Sequence, residues 1–192
     1  MIKTMYTIRK ATPNDSTIIA ELMLYAMQDI IFEFIGKEDK NEAIIFLKDL
    51  ISQKNNQYSF ENTYVLIYNN LIVGSFTLYD GGKLEELRNP VLKSLSDKYN
   101  QNIQPQNETE QGELYIDTIA VFPEYRGKGF GNIILDYIID EFAIKQNHTL
   151  GLLVDFTNPK AKKLYESKGF KVVGKKQLMS EYHEHMQYKK GV

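Results

Sequence analysis

Arg126, Lys128 and three alternating glycines stand in the segment best equipped for chemistry, Val121-Phe122-Pro123-Glu124-Tyr125-Arg126-Gly127-Lys128-Gly129-Phe130-Gly131. The chemistry it offers is anion binding. Gly127, Gly129 and Gly131 let the backbone approach an anion without side-chain clash. The first N–H groups of a following helix have no intrahelical partner and can aim at phosphate oxygens. The helix dipole adds about half a positive charge; Arg126 and Lys128 add whole ones. The spacing narrows the ligand. A P-loop needs Lys-Ser or Lys-Thr after its last glycine, and Phe130-Gly131-Asn132 supplies neither. A dinucleotide fingerprint needs Gly-x-Gly-x-x-Gly, whereas the glycines here run Gly-x-Gly-x-Gly. A plain tight turn is the structural alternative.

The elements around this segment must position it. An apolar run from Leu114 to Val121 predicts a strand before it, and Gly129 to Ile144 predicts a helix after it, with Ile133, Ile134, Tyr137, Ile138 and Phe142 inward. Leu150 to Phe156 reads as a buried strand. Asn158 and Pro159 read as N-cap and first residue of a helix striped by Ala161, Leu164 and Tyr165 and stopped by Gly169. Phe170 to Gly174 and Glu184 to Tyr188 read as two further strands. Strand–helix–strand implies a right-handed crossover and a parallel pair.

Earlier in the chain, Tyr6 to Lys10 alternates as a strand, and Thr12-Pro13-Asn14-Asp15 starts a helix carrying Ile19, Leu22, Met23 and Ala26 on one face. A second helix from Asn41 has Ile44, Leu47, Leu50 and Ile51 as its stripe. Residues 28–36 stay open, with Phe32 and Phe34 as core or as pocket wall. Tyr64–Tyr68 and Leu71–Leu78 form a hairpin through Asn69-Asn70. Residues 80–112 then break the pattern like an insertion: a turn at Asp80-Gly81-Gly82, a weak helical pattern interrupted by Pro90, and a polar, mobile Gln101–Gly112. A substrate lid and a solvated excursion are both open for it. Nothing marks a second domain, so one domain over 1–192 is expected.

Two motifs in order carry a resemblance. Arg126-Gly127-Lys128-Gly129-Phe130-Gly131 resembles the Arg-x-x-Gly-x-Gly signature of the GNAT superfamily of acetyl-CoA-dependent N-acetyltransferases. Asn158-Pro159-Lys160-Ala161-Lys162-Lys163-Leu164-Tyr165-Glu166-Ser167-Lys168-Gly169-Phe170 resembles its second signature. The close match covers roughly residues 113–173. It implies an α/β fold with a mixed, largely antiparallel central sheet, a splayed parallel strand pair and flanking helices. It also implies acetyl-CoA as co-substrate. The pantetheine arm would run along Ile119, Ala120 and Val121, and the pyrophosphate would lie on the amides of Arg126, Gly127, Lys128, Gly129, Phe130 and Gly131. Asn158 and Ala161 would face the coenzyme, although an N-cap role is sufficient for Asn158.

The resemblance also assigns roles. Aminolysis of a thioester expels a thiolate whose conjugate acid has a pKa of about 8.5, and a phenol can protonate or hydrogen-bond it. Tyr165 holds the matching position; a core tyrosine beside Leu164 is the alternative. The acceptor amine must lose a proton first. By the strand period of two, Glu113, Tyr115, Asp117, Ile119 and Val121 share a face. Asp117 and Glu113 are thus the candidate bases, with Asp155 third, and each carboxylate also suits a structural hydrogen bond. The oxyanion would meet a backbone N–H near Ala120 or Val121. His183 and His185 share a strand face with no third ligand in view, so no metal is expected. Tyr182 and His185 are candidates for the acceptor wall. Lys160, Lys162, Lys163 and Lys168 form a solvated face or meet the coenzyme's 3′-phosphate.

Bulk properties fit this reading. The chain has 192 residues, 43% hydrophobic and 25% charged, a net charge of −2 and no cysteine. No basic stripe points to nucleic acid, no run approaches a membrane span, and Met1–Met5 lacks a signal core, so a cytoplasmic protein is expected. Without cysteine there is no disulfide, no thiolate zinc site and no acyl-cysteine intermediate. Direct attack by a small-molecule or peptide amine is the simpler route. The rivals are a non-catalytic acyl-CoA-binding regulatory module, or the same fold with another acyl donor or an alcohol acceptor. The family's habit of dimerising leaves a homodimer open, and the acceptor stays unidentified.

Overall fold

The structure is a computed structural model that describes residues 6–191; the reading of Met1–Met5 lies outside them. The described elements run β1 (Tyr6–Lys10), α1 (Ser16–Ile35), α2 (Lys40–Ile51), β2 (Thr63–Tyr68), β3 (Leu71–Asp80), α3 (Leu84–Tyr99), β4 (Glu113–Val121), α4 (Phe130–Ile138), β5 (Thr149–Asp155), α5 (Pro159–Ser167), β6 (Lys171–Leu178) and β7 (Glu181–Tyr188). The strands take the order β1-β2-β3-β4-β5-β7-β6 in one seven-stranded sheet. β4 and β5 are parallel, while β1–β2, β2–β3, β5–β7 and β6–β7 are antiparallel. The expected mixed, largely antiparallel sheet with flanking helices is therefore present.

The chain gathers into two compact units. The first holds residues 6–77, Glu85–Ile103 and Thr118–Gly131. Its hairpin turns as the sequence demands: Asn69 and Asn70 sit at φ 49° and 64°, the left-handed pair that a two-residue hairpin requires. α1 runs through the residues left open by sequence, with one kink at Met27 (φ −143°, ψ 35°), and ends at left-handed Gly36. Phe34 beyond the kink is core, and Phe32 is half-buried. α2 is capped by Asp39, whose carboxylate accepts from the N–H groups of Asn41 and Glu42. Its buried stripe is Ala43, Phe46, Leu47, Leu50 and Ile51. Ile44, expected in the stripe, is half-buried.

α3 is continuous where the sequence suggested an interruption. Leu84, Arg88, Val91 and Leu95 are all buried along one face, spaced as a helix requires. That packing outweighs the hydrogen bond lost at Pro90.

The second unit holds Leu78–Leu84, Gln104–Asp117 and residues 132–191. β5 pairs with β7, with Asp155 opposite His183 and Leu153 opposite His185. The β4–β5 register ends at Ile116 opposite Leu152, although β4 continues to Val121 and β5 to Asp155. α4 passes into π-helical turns over Ile139–Lys145.

The polar segment before β4 departs from expectation: much of it is tied down. Glu108 and Thr109 are buried. Thr109 Oγ1 donates to the Gly81 carbonyl at 2.6 Å, and the Glu110 N–H donates to Glu113 Oε1 at 2.8 Å. Lys176 pairs with Glu110 at 2.6 Å, and Gln106 Oε1 accepts from the Met179 N–H at 2.9 Å. A polar composition records the lack of apolar groups; it does not record how many partners the polar ones find.

Candidate active site

In the first unit, β4 leaves through a tight turn. The Phe122 N–H donates to the Val73 carbonyl at 3.0 Å, and Pro123–Tyr125 makes one 3-10 turn closed by Tyr125 N to Phe122 O at 2.9 Å. Gly127 and Gly129 follow at φ +75° and +87°, and a Cβ on either would meet nothing within 4 Å. Glycine is required there by backbone conformation, not by crowding. Turns built on such residues can present successive N–H groups to an anion.

The two cations of this turn are held from below. Arg126 Nε donates to the Val121 carbonyl at 3.0 Å, and its guanidinium carbon lies 5.6 Å from the Tyr25 ring centre. Lys128 Nζ lies 5.1 Å from the Tyr125 ring centre. Phe130, the first residue of α4, is buried and packs edge-on against Tyr68 at 5.0 Å and Tyr125 at 6.1 Å. Its ring anchors the helix start, so only its N–H can serve a ligand.

In the second unit, Asn158 caps α5: its Oδ1 accepts from the Ala161 N–H at 3.1 Å. Tyr165 lies two turns on, its ring 5.9 Å from Phe170, which in turn lies 5.7 Å from Tyr188. Desolvation pushes the phenol of half-buried Tyr165 up to about 12, so it holds its proton at any physiological pH.

The candidate carboxylates differ sharply. Glu113 is 2% exposed and accepts from Gln187 Nε2 at 2.7 Å, from the Glu110 N–H at 2.8 Å, and meets His185 Nε2 at 2.9 Å. These contacts make it a structural knot. Asp117 is half-buried, and its Oδ1 accepts from the Tyr79 hydroxyl at 3.2 Å. That hydroxyl also lies 3.5 Å from Glu108 Oε1. Tyr79 and Glu108 belong to no motif; the only sequence signal for Tyr79 is its place two residues after Thr77 on β3, and Glu108 has none.

The two histidines part company. His185 joins Glu113, whereas His183 meets Asp155 and Glu181. Burial lowers the His183 pKa against the opposing charge of Asp155. Burial also opposes ionisation of Asp155, but the Thr157 N–H and hydroxyl, His183 and Glu181 together hold its carboxyl below the ordinary value.

Known proteins resemble this chain in sequence and in fold. The model of the Acetyltransferase (GNAT) family matches residues 24–170. A solved acetyltransferase is 28% identical, with a TM-score of 0.78 over 95% of this chain and 98% of that one. An N-acetyltransferase from Staphylococcus aureus Mu50 is 21% identical, with a TM-score of 0.77 over 95% of this chain and all (100%) of the other, which speaks to the fold alone. In sequence, 58 residues are 41% identical to the [ribosomal protein bS18]-alanine N-acetyltransferase of Escherichia coli K12, a match covering 30% of this chain and 39% of that enzyme. The chain thus spans about two fifths of the length of that curated relative.

Proposed function

We propose that this chain, which belongs to the acetyltransferase (GNAT) family, moves the acetyl group of acetyl-CoA directly to a primary amine in a ternary complex. The observation that carries the reading is the turn with left-handed Gly127 and Gly129 leading into α4. It is an anion cradle of the kind the coenzyme's pyrophosphate needs. The amides of Arg126 to Gly131 would take the pyrophosphate and Ile119, Ala120 and Val121 would hold the pantetheine arm; by the family resemblance Asn158 and Ala161 are coenzyme residues too.

The step is thioester aminolysis. The amine nitrogen attacks the carbonyl carbon, the C–N bond forms, and the C–S bond breaks with its electron pair leaving on sulfur. Asp117 takes a proton from the ammonium form of the acceptor before attack, and the second proton leaves the nitrogen for solvent as it becomes amide-like. The magnitudes refine the role of Tyr165. Desolvation raises the Tyr165 phenol further above a thiol of pKa about 8.5, so full proton transfer to the thiolate runs uphill. Tyr165 therefore donates a hydrogen bond to the departing sulfur, and the thiolate gains its proton from solvent. Glu113 is the weaker base candidate because its carboxylate is already committed to three partners.

The acceptor is an amine of a small molecule or peptide. The 41% identity over 58 residues to an enzyme that acetylates a ribosomal protein's alanine puts peptide N-termini in the first test group. Purified protein is mixed with acetyl-CoA and a panel of N-terminal alanine peptides, polyamines, lysine peptides and amino sugars, and free thiol release is followed above the no-amine rate. Release with one class establishes the transferase and its acceptor class. Coenzyme binding without release across the panel favours the regulatory-module rival.

A further inference from the structure

Asp155 ends β5, and His183 lies directly opposite it on β7. Glu181, two residues before His183, shares its face by the strand period of two. One ligand atom from each of the three lies within 4.8 Å of the others, and His183 Nε2 stands 3.8 Å from Glu181 Oε2. His183 is 7% exposed, and its Nδ1 is buried with no hydrogen-bond partner among the described residues. Asp155 and Glu181 are only half-buried, so the cluster has a solvent side through which an ion can pass. Asp155 Oδ1 accepts from the Thr157 N–H at 2.6 Å and from its hydroxyl at 2.7 Å, which fixes the carboxylate in place.

We propose that Asp155, Glu181 and His183 form a binding site for one divalent transition-metal ion of the zinc class. One imidazole nitrogen and two carboxylate oxygens are a ligand set suited to such ions, and the nitrogen disfavours magnesium and calcium, which prefer all-oxygen shells. The dimensions fit with modest adjustment. At the 4.8 Å upper limit of their separation, an ion equidistant from the three atoms would sit about 2.8 Å from each. Each ligand must close in by roughly 0.7 Å to reach the ~2.1 Å of a zinc bond. A rotation of the half-buried Glu181 side chain supplies most of that movement. Three protein ligands leave a coordination position for water or another small ligand. The bound ion would tie the start of β7, just after the turn at Met179-Ser180, to the end of β5. The histidines His183 and His185 are alike in sequence spacing, but only the first has this option, because His185 is taken by Glu113 at 2.9 Å.

The proposal is independent of acetyl transfer, and its test contains no coenzyme. The full chain, stripped with EDTA and dialysed, is titrated with Zn²⁺ in a calorimeter. One ion per chain is expected, with binding weakened at least tenfold in Glu181→Gln and in His183→Gln. The His148→Gln control changes an exposed histidine before β5 and should bind as the parent does. Excess Mg²⁺ should not compete. Circular dichroism confirms each fold; should the buried His183→Gln unfold, Glu181→Gln decides. Absence of binding at millimolar Zn²⁺, equal binding by parent and Glu181→Gln, or displacement by Mg²⁺ would each overturn the site.

Discussion

The Glu113 carboxylate occupies the space in which Gly151 would carry a side chain. A Cβ built on Gly151 collides with both Glu113 carboxylate oxygens, and that carboxylate is what joins β4 to His185 and Gln187 of β7. Gly151→Ala should therefore be costly through a residue it does not touch in sequence. Overpacking alone costs about 1–3 kcal/mol, and displacing a buried carboxylate from its partners adds to that. A loss of about 3–5 kcal/mol in urea unfolding is expected. Glu113→Ala made together with Gly151→Ala should lose less than the sum of the two single changes, since it empties the contested space. Strict additivity in that cycle would show that the two residues do not interact.

The phosphate turn makes a separate prediction. Gly129→Ala puts an L side chain at φ +87° with nothing crowding it, so the penalty is conformational, about 1–2 kcal/mol. Relaxation of the turn to avoid that strain would spoil the aim of its N–H groups. Acetyl-CoA affinity by calorimetry should fall about tenfold or more, while the melting temperature moves by only a few degrees. Unchanged affinity would remove this turn as the coenzyme's anchor.

Two phenols predict alkaline behaviour. Burial raises Tyr165 to about 12, and burial followed by the charge of Glu42 raises Tyr99 to about 12. Unfolded tyrosine ionises near 10, so between about pH 10 and 12 the unfolded chain releases protons that the native chain keeps. The contribution of these groups is complete below pH 10 and is lost as pH rises through 12. The urea midpoint should fall across this window, and Tyr99→Phe should flatten the fall. At pH 7.5, Tyr165→Phe should lower kcat about 100-fold with little change in KM for acetyl-CoA. An unchanged kcat would take the phenol out of the reaction.

Elements with one dominant local signal were legible in the sequence. Asn69-Asn70, the Asn158-Pro159 helix start and the alternation on β4 each express one backbone preference, and the structure follows them. Local signals competing with packing were misread. Pro90 argued against a continuous α3, but Leu84, Val91 and Leu95 bury its face. The polar run before β4 looked solvated, but Thr109 and Glu110 are bound to Gly81 and Glu113. Least legible were groupings made across strands. Nothing local places Tyr79 beside Asp117 or Asp155 beside His183; pairing register and chain return decide both.

Asp117 and Glu113 stand on one strand face, and their surroundings predict opposite phenotypes. Asp117→Asn keeps an oxygen to accept from Tyr79, now at 3.2 Å, but loses the charge that draws a proton from the attacking amine. Its kcat/KM should drop about 100-fold at neutral pH. Raising the pH toward the amine's own pKa, or substituting an amine of lower pKa, should restore much of the rate, because the acceptor then arrives deprotonated. Glu113→Gln removes a charge that already serves His185, Gln187 and the Glu110 N–H. It should lower stability, and whatever activity it loses should not return with pH. Rate profiles of the two variants from pH 6 to 9.5, set beside their urea midpoints, separate the roles. Alkaline rescue in Glu113→Gln, or its absence in Asp117→Asn, would reverse the assignment of the base.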